Sequence, residues 1–439
     1  MTLHGTLRRS VGVALALGAA AIAIAPLHAE TLAIIGGRVV IGDGSPPIDG
    51  GTVVVRDGRV VAAGAGVPVP AGARTIDATG KWVTPGIFAG FSRVGLVEVE
   101  AVEETNDSAA DKSGFSAALD IAGAIDPSRT PVAINRSAGI TRAVVAPVAG
   151  RSIFAGQGAI ADLGGDADPV TVARAFQFVE FGETGSARAG GSRAAAHALL
   201  RAMLREAADY RGGRAGFDDE LLRAEDARAL LRVIDGEARL LIHAESAADI
   251  RQALALKAEY PKLKPVLLGA SEGWMVAREI AAAGVPVIAA GLNDLPDAFE
   301  RRAATQSNVG RMAAAGVTVA LGLIGDFDAH QLRTLPQHAG NLVALTRVPG
   351  ATGLGWDAAF AAISSKPAEA MGVADRLGSL RPGRAGDVVL WDGDPLELSS
   401  APVALFIDGI EQSLANRQQK LRDRYRTPTE GALPKAYDR

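Results

Sequence analysis

The stretch Asp77–Gly86, DATGKWVTPG, runs directly into residues 87–95, IFAGFSRVG, and decides the fold. Short β-branched runs separated by Gly-rich turns precede it. The Pro85-Gly86 pair interrupts the extended chain, and the compact apolar segment that follows is typical of a buried strand. The stretch therefore predicts a chain that leaves a small β-domain and enters the first strand of a larger one.

Both ends of the chain carry strand patterns. In residues 52–62, Asp57-Gly58 separates two β-branched runs, which is a strong hairpin signal because both turn residues need a positive φ. Residues 387–391 and 403–407 also favour strands, and Asp408-Gly409 marks another turn. Neither end can bury a core alone. We therefore predict one composite β-sandwich built from residues 30–85 and 377–413.

Residues 86–376 alternate short apolar strands with helical stretches. Strands are predicted at Leu240–Ile242 and Val266–Leu268, and a helix that begins with an Asp cap is predicted over Asp218–Ile234. Repeated βα units predict parallel strands, and a region of this length favours a (β/α)₈ barrel. The predicted fold class is α/β, a TIM-like barrel inserted into the small sandwich.

Composition narrows the chemistry. The chain has 439 residues, no cysteine and a formal net charge of −4. Disulfides, thiolate metal sites and a cysteine nucleophile are excluded, and nothing basic enough to bind nucleic acid is present.

Residues 1–29 are predicted to be a signal peptide. Arg8 and Arg9 precede an apolar run over Val11–Ala25, and Leu27-His28-Ala29 forms a cleavage site. The mature protein is expected in the periplasm or outside the cell, without a membrane contact after cleavage. Residues 414–439 are predicted to form a polar tail that contains a solvated helix.

Four stretches, in this order along the chain, carry a family resemblance. They are Asp77–Gly86, Ile242–Glu245 (IHAE), Ser364–Gly372 (SSKPAEAMG) and Gly378–Asp387 (GSLRPGRAGD). Together they resemble the amidohydrolase superfamily, and its imidazolonepropionase-like branch in particular. The resemblance implies a hydrolase of carbon–nitrogen bonds other than peptide bonds, which uses zinc or another divalent metal.

The residues at the family's metal-ligand positions are mostly of the wrong type. The resemblance aligns its strand-one His-x-His with Phe91 and Arg93, its strand-six His with Gly269, and its strand-eight Asp with Ile324. His243 alone remains, at the end of strand five. We therefore expect a degenerate site without a tightly bound metal, because one imidazole cannot hold an ion against water.

Three functions stay open at this stage. In an active hydrolase, His243 is the predicted general base, Arg93 binds an anionic substrate or an oxyanion, and Glu245 and Asp326 contact the substrate. In the alternative, the barrel is a non-catalytic binding or scaffold protein for a small-molecule ligand. The third is an ordinary metal hydrolase whose ligands lie at positions other than the aligned ones. Separately, Asp326, Asp328 and His330 could form a metal site with His243, or they could be a helix cap with solvated charges. A homo-oligomer is also left open.

The signal-peptide pattern predicts that N-terminal sequencing of the exported protein begins at Glu30. Ala29 is small enough for the position before the cut, and Glu30 lies outside the apolar run. Soluble protein that still carries residues 1–29 would contradict this prediction.

Overall fold

The computed structural model describes residues 31–211, 221–325 and 329–426. Two eight-stranded sheets organise this part of the chain. The predicted signal peptide lies outside the described residues, as does Asp218. The proposed domain boundaries stay predictions.

The first sheet draws its strands from both ends of the chain, as predicted. The strands are β1 (Leu32–Val39), β2 (Ile48–Arg56), β3 (Arg59–Gly64), β4 (Arg74–Asp77), β5 (Trp82–Pro85), β14 (Val388–Trp391), β15 (Pro402–Ile407) and β16 (Ile410–Glu411). Their order in the sheet is β16-β15-β14-β5-β1-β2-β3, and β4 also pairs with β1.

One strand of this sheet changes its partner halfway. Residues 32–35 of β1 pair with β4, whereas Arg38 and Val39 pair with β5. Gly36 lies between the two halves with φ +75°, a conformation that glycine adopts without a Cβ clash. The predicted Asp57-Gly58 turn also has two positive φ angles, 53° and 71°, which confirms that hairpin.

The second sheet is a nearly closed barrel, which confirms the predicted fold class. Its eight strands follow chain order around the sheet, and the first and last strands approach each other. They are β6 (Ile87–Ser92), β7 (Ile140–Val145), β8 (Phe154–Asp162), β9 (Val170–Glu180), β10 (Arg239–Ala244), β11 (Pro265–Gly269), β12 (Val287–Ala289) and β13 (Val319–Leu321).

The expectation of uniformly parallel strands is wrong for one strand. β8 runs antiparallel to both β7 and β9, whereas the other barrel pairings are parallel. Short loops rather than helices connect β7 to β8 and β8 to β9, so no crossover is needed. The hairpin of β8 and β9 was absent from the sequence prediction because buried small residues in β8 give no alternation to detect.

Eleven α-helices lie between and after the strands of the described residues. They are α1 (Thr130–Arg136), α2 (Glu183–Arg188), α3 (Arg193–Arg211), α4 (Ala224–Ile234), α5 (Ala247–Glu259), α6 (Ala277–Ala283), α7 (Asn308–Ala314), α8 (Leu335–Ala344), α9 (Trp356–Ala361), α10 (Ser365–Met371) and α11 (Arg417–Tyr425). Within the three described ranges, no helix is both long and apolar enough to cross a membrane.

The barrel separates two apolar cores. Alternate strand residues such as Leu241, Leu268 and Ile288 form an inner cluster, which also contains Phe91 and Phe178. Their neighbours in the strands, such as Ile242, face the helices and belong to a larger outer cluster. This alternation follows from the two-residue period of a strand, and it aims His243, two residues after Leu241, toward the barrel axis.

A buried cation joins the barrel to the first sheet. Arg142 of β7 is 3% exposed, and its guanidinium donates to Asp387 at 2.8 and 3.1 Å and to Asp408 at 2.6 Å. Asp162 of β8 lies 3.6 Å away. Burial raises the pKa of Asp162 to about 6 even though Arg142 opposes the shift. Arg142 therefore compensates carboxylates from both sheets at once.

Arg142→Met is expected to lower the free energy of unfolding by about 3–5 kcal/mol, because it leaves buried carboxylates without a cation. Urea denaturation of the mature protein measures the change. Arg251→Met is the matched control, since Arg251 pairs with Glu279 on the exposed surface and little change is expected. Equal effects of the two substitutions would show that Arg142 does not anchor the sheets.

Candidate functional site

The candidate site lies where the parallel barrel strands end, the face on which barrel enzymes build their sites. β9 ends at Glu180, β10 places His243 next to its last residue, and β11 ends at Gly269. His243 pairs with Glu180 across the β9–β10 ladder and with Leu268 across the β10–β11 ladder. Side chains from three adjacent strands therefore meet at one place.

His243 is held between two carboxylates. Its Nδ1 lies 2.7 Å from Oε2 of Glu180, and its Nε2 lies 3.2 Å from Oε1 of Glu245. The imidazole is only 15% exposed. Both ring nitrogens can donate only when the imidazole is protonated, so this geometry selects the imidazolium form.

Glu245 is buried and has a partner at each oxygen. Oε1 also receives the Arg301 guanidinium at 3.0 Å, while Oε2 accepts the Ser271 amide at 2.8 Å and the Ser271 hydroxyl at 2.6 Å. Asn293 in turn donates its side-chain amide to the Ser271 hydroxyl at 2.7 Å. We call Glu180, His243, Glu245 and Arg301 the mouth network.

The end of β11 has a backbone shape that admits this carboxylate. Gly269 and Ala270 both have positive φ, 85° and 50°, which turns the chain so that the Ser271 amide meets Glu245. A Cβ on Gly269 would lie 2.5 Å from the Glu245 carboxyl carbon. A histidine at position 269 would therefore require the Glu245 carboxylate to move, and the backbone there would strain it.

Opposite charges in the mouth network stabilise one another. Burial by itself would lower the pKa of His243, but the carboxylates of Glu180 and Glu245 raise it well above 6.5. Burial would raise the pKa of Glu245, but hydrogen bonding and charge from His243, with Arg301, lower it to about 2. The network therefore pairs the cations His243 and Arg301 with the carboxylates that contact them.

This donor set does not fit a divalent metal. The two carboxylates approach opposite sides of the His243 ring, so they do not converge on one point with an imidazole lone pair. Within the three described ranges, no three His, Asp or Glu side chains are arranged to hold a metal ion. Arg301 also places a cation beside Glu245, where a metal would be repelled.

Three of the other aligned ligand positions, 91, 269 and 324, hold apolar residues. Phe91 is buried in the inner cluster and packs edge-on against Phe178, with ring centroids 5.8 Å apart. Ile324 packs against the same cluster. Together with Gly269, these residues offer no oxygen or nitrogen ligand from their side chains.

Arg93 follows directly after β6, so it too lies at the carboxyl end of a barrel strand. Its side chain is buried, with 4% exposed. Asp326 and Asp328 lie outside the described residues. His330 is buried, and its Nδ1 lies 3.5 Å from Oε2 of Glu100. The catalytic roles of His243 and Arg93 and the substrate-binding roles of Glu245 and Asp326 stay predictions.

Sequence reasoning missed Glu180, Ser271, Asn293 and Arg301. Glu180 ends a strand that was not predicted, although a glutamate after the aromatic-rich stretch Phe176–Val179 (FQFV) was a usable signal. Arg301 stands in the long loop after β12, and only the fold brings it to Glu245.

Comparisons with known proteins agree with this architecture. A sequence model of the amidohydrolase family matches residues 237–418. The protein named amidohydrolase tasK of Hapsidospora irregularis is 43% identical over 60 residues, which cover 14% of this chain and 6% of that protein.

Solved structures resemble the chain over most of its length. An amidohydrolase from Thermotoga maritima MSB8 has a TM-score of 0.75 at 20% identity, covering 88% of this chain and all of that one. Molinate hydrolase has a TM-score of 0.54 at 20% identity, covering 93% and 98% of the two chains. Phenylurea hydrolase B has a TM-score of 0.52 at 17% identity, covering 92% and 100%. At such identities these likenesses concern the fold.

The barrel, the sheet built from both chain ends and the family match over residues 237–418 define an amidohydrolase-type protein. Residues 237–418 match the amidohydrolase family, and the chain as a whole shares the fold of a solved amidohydrolase. Its assignment to the imidazolonepropionase-like branch stays a prediction.

The mouth network predicts a distinctive pH dependence of stability for His243→Gln. Below about pH 6.5 His243 is protonated in the folded and the unfolded chain, so its ion pairs contribute fully and their loss costs about 3–5 kcal/mol. Above that pH the unfolded chain loses the proton first. The contribution therefore falls by up to about 1.4 kcal/mol per pH unit until the folded His243 also titrates.

Urea denaturation from about pH 6 to about pH 9 tests this. The difference in unfolding free energy between wild type and His243→Gln should shrink as the pH rises. His197→Gln, a change to a histidine outside the mouth network, is the control. A difference that stays constant over the range would mean that the folded His243 is not held protonated.

Proposed function

We propose that this protein is an exported member of the superfamily with a degenerate metal site, and that its barrel mouth binds a small amide- or urea-type molecule without metal-dependent hydrolysis. One observation carries the proposal. The Glu245 carboxylate fills the space beside Gly269 and is already paired with His243, Arg301 and Ser271. A metal would have to displace these partners to bind there.

The charges of the mouth network favour a neutral polar ligand. The mouth network balances two cations with two anions, and parts of Arg301, His243 and Glu180 reach solvent. A neutral polar molecule with both a donor and an acceptor suits such a surface better than an ion does. The names of two structural neighbours, molinate hydrolase and phenylurea hydrolase B, support an uncharged carbon–nitrogen compound.

Hydrolysis without a metal is the second candidate, favoured by the short Glu180–His243 contact. A protonated His243 has no lone pair, so it suits a general acid better than the predicted general base. In that reaction water adds to the carbonyl carbon, the carbon–nitrogen bond breaks, and the leaving nitrogen takes up a proton. Turnover on a panel of amides, lactams, ureas and dipeptides distinguishes this candidate from binding alone.

Purified mature protein is expected to retain less than one zinc per chain after dialysis against chelator, re-addition of zinc and removal of the excess. Elemental analysis gives the ratio. Phe91→His combined with Arg93→His should raise retention only partly, because Gly269 and Ile324 still supply no ligand. One equivalent of zinc held by wild type and lost in His243→Ala would restore an ordinary metal-hydrolase mechanism.

Ligand binding needs its own measurement. Isothermal titration with the same panel, in the presence of chelator, is expected to give binding without turnover. Glu245→Gln keeps the shape of that side chain but removes its charge, and should weaken the binding by disturbing His243 and Arg301. Turnover that persists in chelator would favour the second candidate, and the absence of both binding and turnover would contradict both.

A further inference from the structure

We propose that two copies of this chain associate through reciprocal ion pairs between α11 of one copy and the loop Glu98–Asp111 of the other. In a twofold dimer, the basic helix of each copy would meet the acidic loop of the other. The proposal is independent of the ligand proposed for the barrel mouth.

α11 is an exposed basic helix. The helix carries the cations Arg417, Lys420, Arg422 and Arg424, and Arg426 follows it directly. The single anion of this segment is Asp423. No residue of α11 is buried, yet Leu421 and Tyr425 add apolar surface to it. Among the described residues the only ion pair of the helix is Arg422 with Asp423, within the helix itself. A polar helix of this length is marginal in water without tertiary support.

The loop Glu98–Asp111 carries the opposite charge. Its sequence is EVEAVEETNDSAAD, and Glu103, Glu104 and Asp111 are exposed. Among the described residues these three form no ion pair, whereas Asp107 pairs with Arg129. Val99 and Val102 are 48% and 39% exposed, so this patch also combines charge with apolar surface.

Each patch is hydrogen-bonded at one of its residues to an end of the same short helix, α1. At its start, the Thr130 amide donates to Glu98 at 2.6 Å. At its end, Asn416, the N-cap of α11, donates to the Ser137 hydroxyl at 2.9 Å. Seven helical residues span about 10 Å, so the acidic and basic patches lie one short helix apart.

This placement suits a self-complementary interface. In a twofold dimer, the same surface of both copies forms the interface, with its two halves interchanged. The basic patch of each copy therefore meets the acidic patch of the other. A heterologous contact would leave one patch of each end subunit unused. The overall formal charge of −4 makes the cationic α11 a local exception, which favours a specific acidic partner surface over general attraction.

The test uses charge-reversed variants of the mature protein. In variant one α11 carries R417E, K420E and R424E, and in variant two the loop carries E103K, E104K and D111K. Light scattering after size exclusion, at low and at high salt, gives the mass of each protein alone and of their equimolar mixture. Circular dichroism checks that each variant keeps its fold.

Wild type is expected to be a dimer at low salt that weakens as salt screens the charges. Each variant alone should be monomeric, because like charges then face each other. The mixture should form a heterodimer, since both contacts become attractive again, and a protein with all six substitutions should dimerise like wild type.

Three results would overturn the proposal. They are a wild type that is monomeric at low salt, a dimer that both variants retain, and a mixture that stays monomeric although each variant is folded. A monomer that binds vesicles containing anionic lipid, and loses that binding in variant one, would also overturn it and assign α11 to a membrane surface instead.

Discussion

The buried carboxylate of Glu245 imposes the strongest constraint on the barrel mouth. A charged group removed from water must recover its solvation from nearby cations and donors. His243 and Arg301 supply the cations, and the amide and hydroxyl of Ser271 supply the donors. The turn at Gly269 and Ala270 brings that amide into place and keeps the space free of a side chain.

The proposed loss of metal ligands is consistent with the presence of this network. Where the family aligns a histidine with Gly269, this chain has room for the Glu245 carboxylate. Once Glu245 is there, His243 is drawn into an ion pair and loses the lone pair that a metal would need. Phe91 and Ile324 extend the apolar inner cluster toward the mouth, so the side chains at these two positions also supply no ligand.

The two ends of the barrel use the same physical solution for different purposes. Arg142 compensates carboxylates where the barrel meets the other sheet, and its contacts join two distant parts of the chain, residues 142–162 and residues 387–408. The mouth network compensates its charges beside the candidate ligand site. The first arrangement holds the composite fold together, whereas the second sets the chemistry available to a bound molecule.

Local sequence signals determined the barrel, the sheet shared by both chain ends, the Asp57-Gly58 hairpin and the position of His243 near the end of a barrel strand. Each depends on strand periodicity or on turn residues with positive φ, which act over a few residues. Only the tertiary structure decided that β8 runs antiparallel, because buried small residues carry no directional signal. It alone also paired Glu180 and Arg301 with the IHAE stretch. Those side chains come from separate strands and loops, and charges that are distant in sequence meet only when the barrel closes.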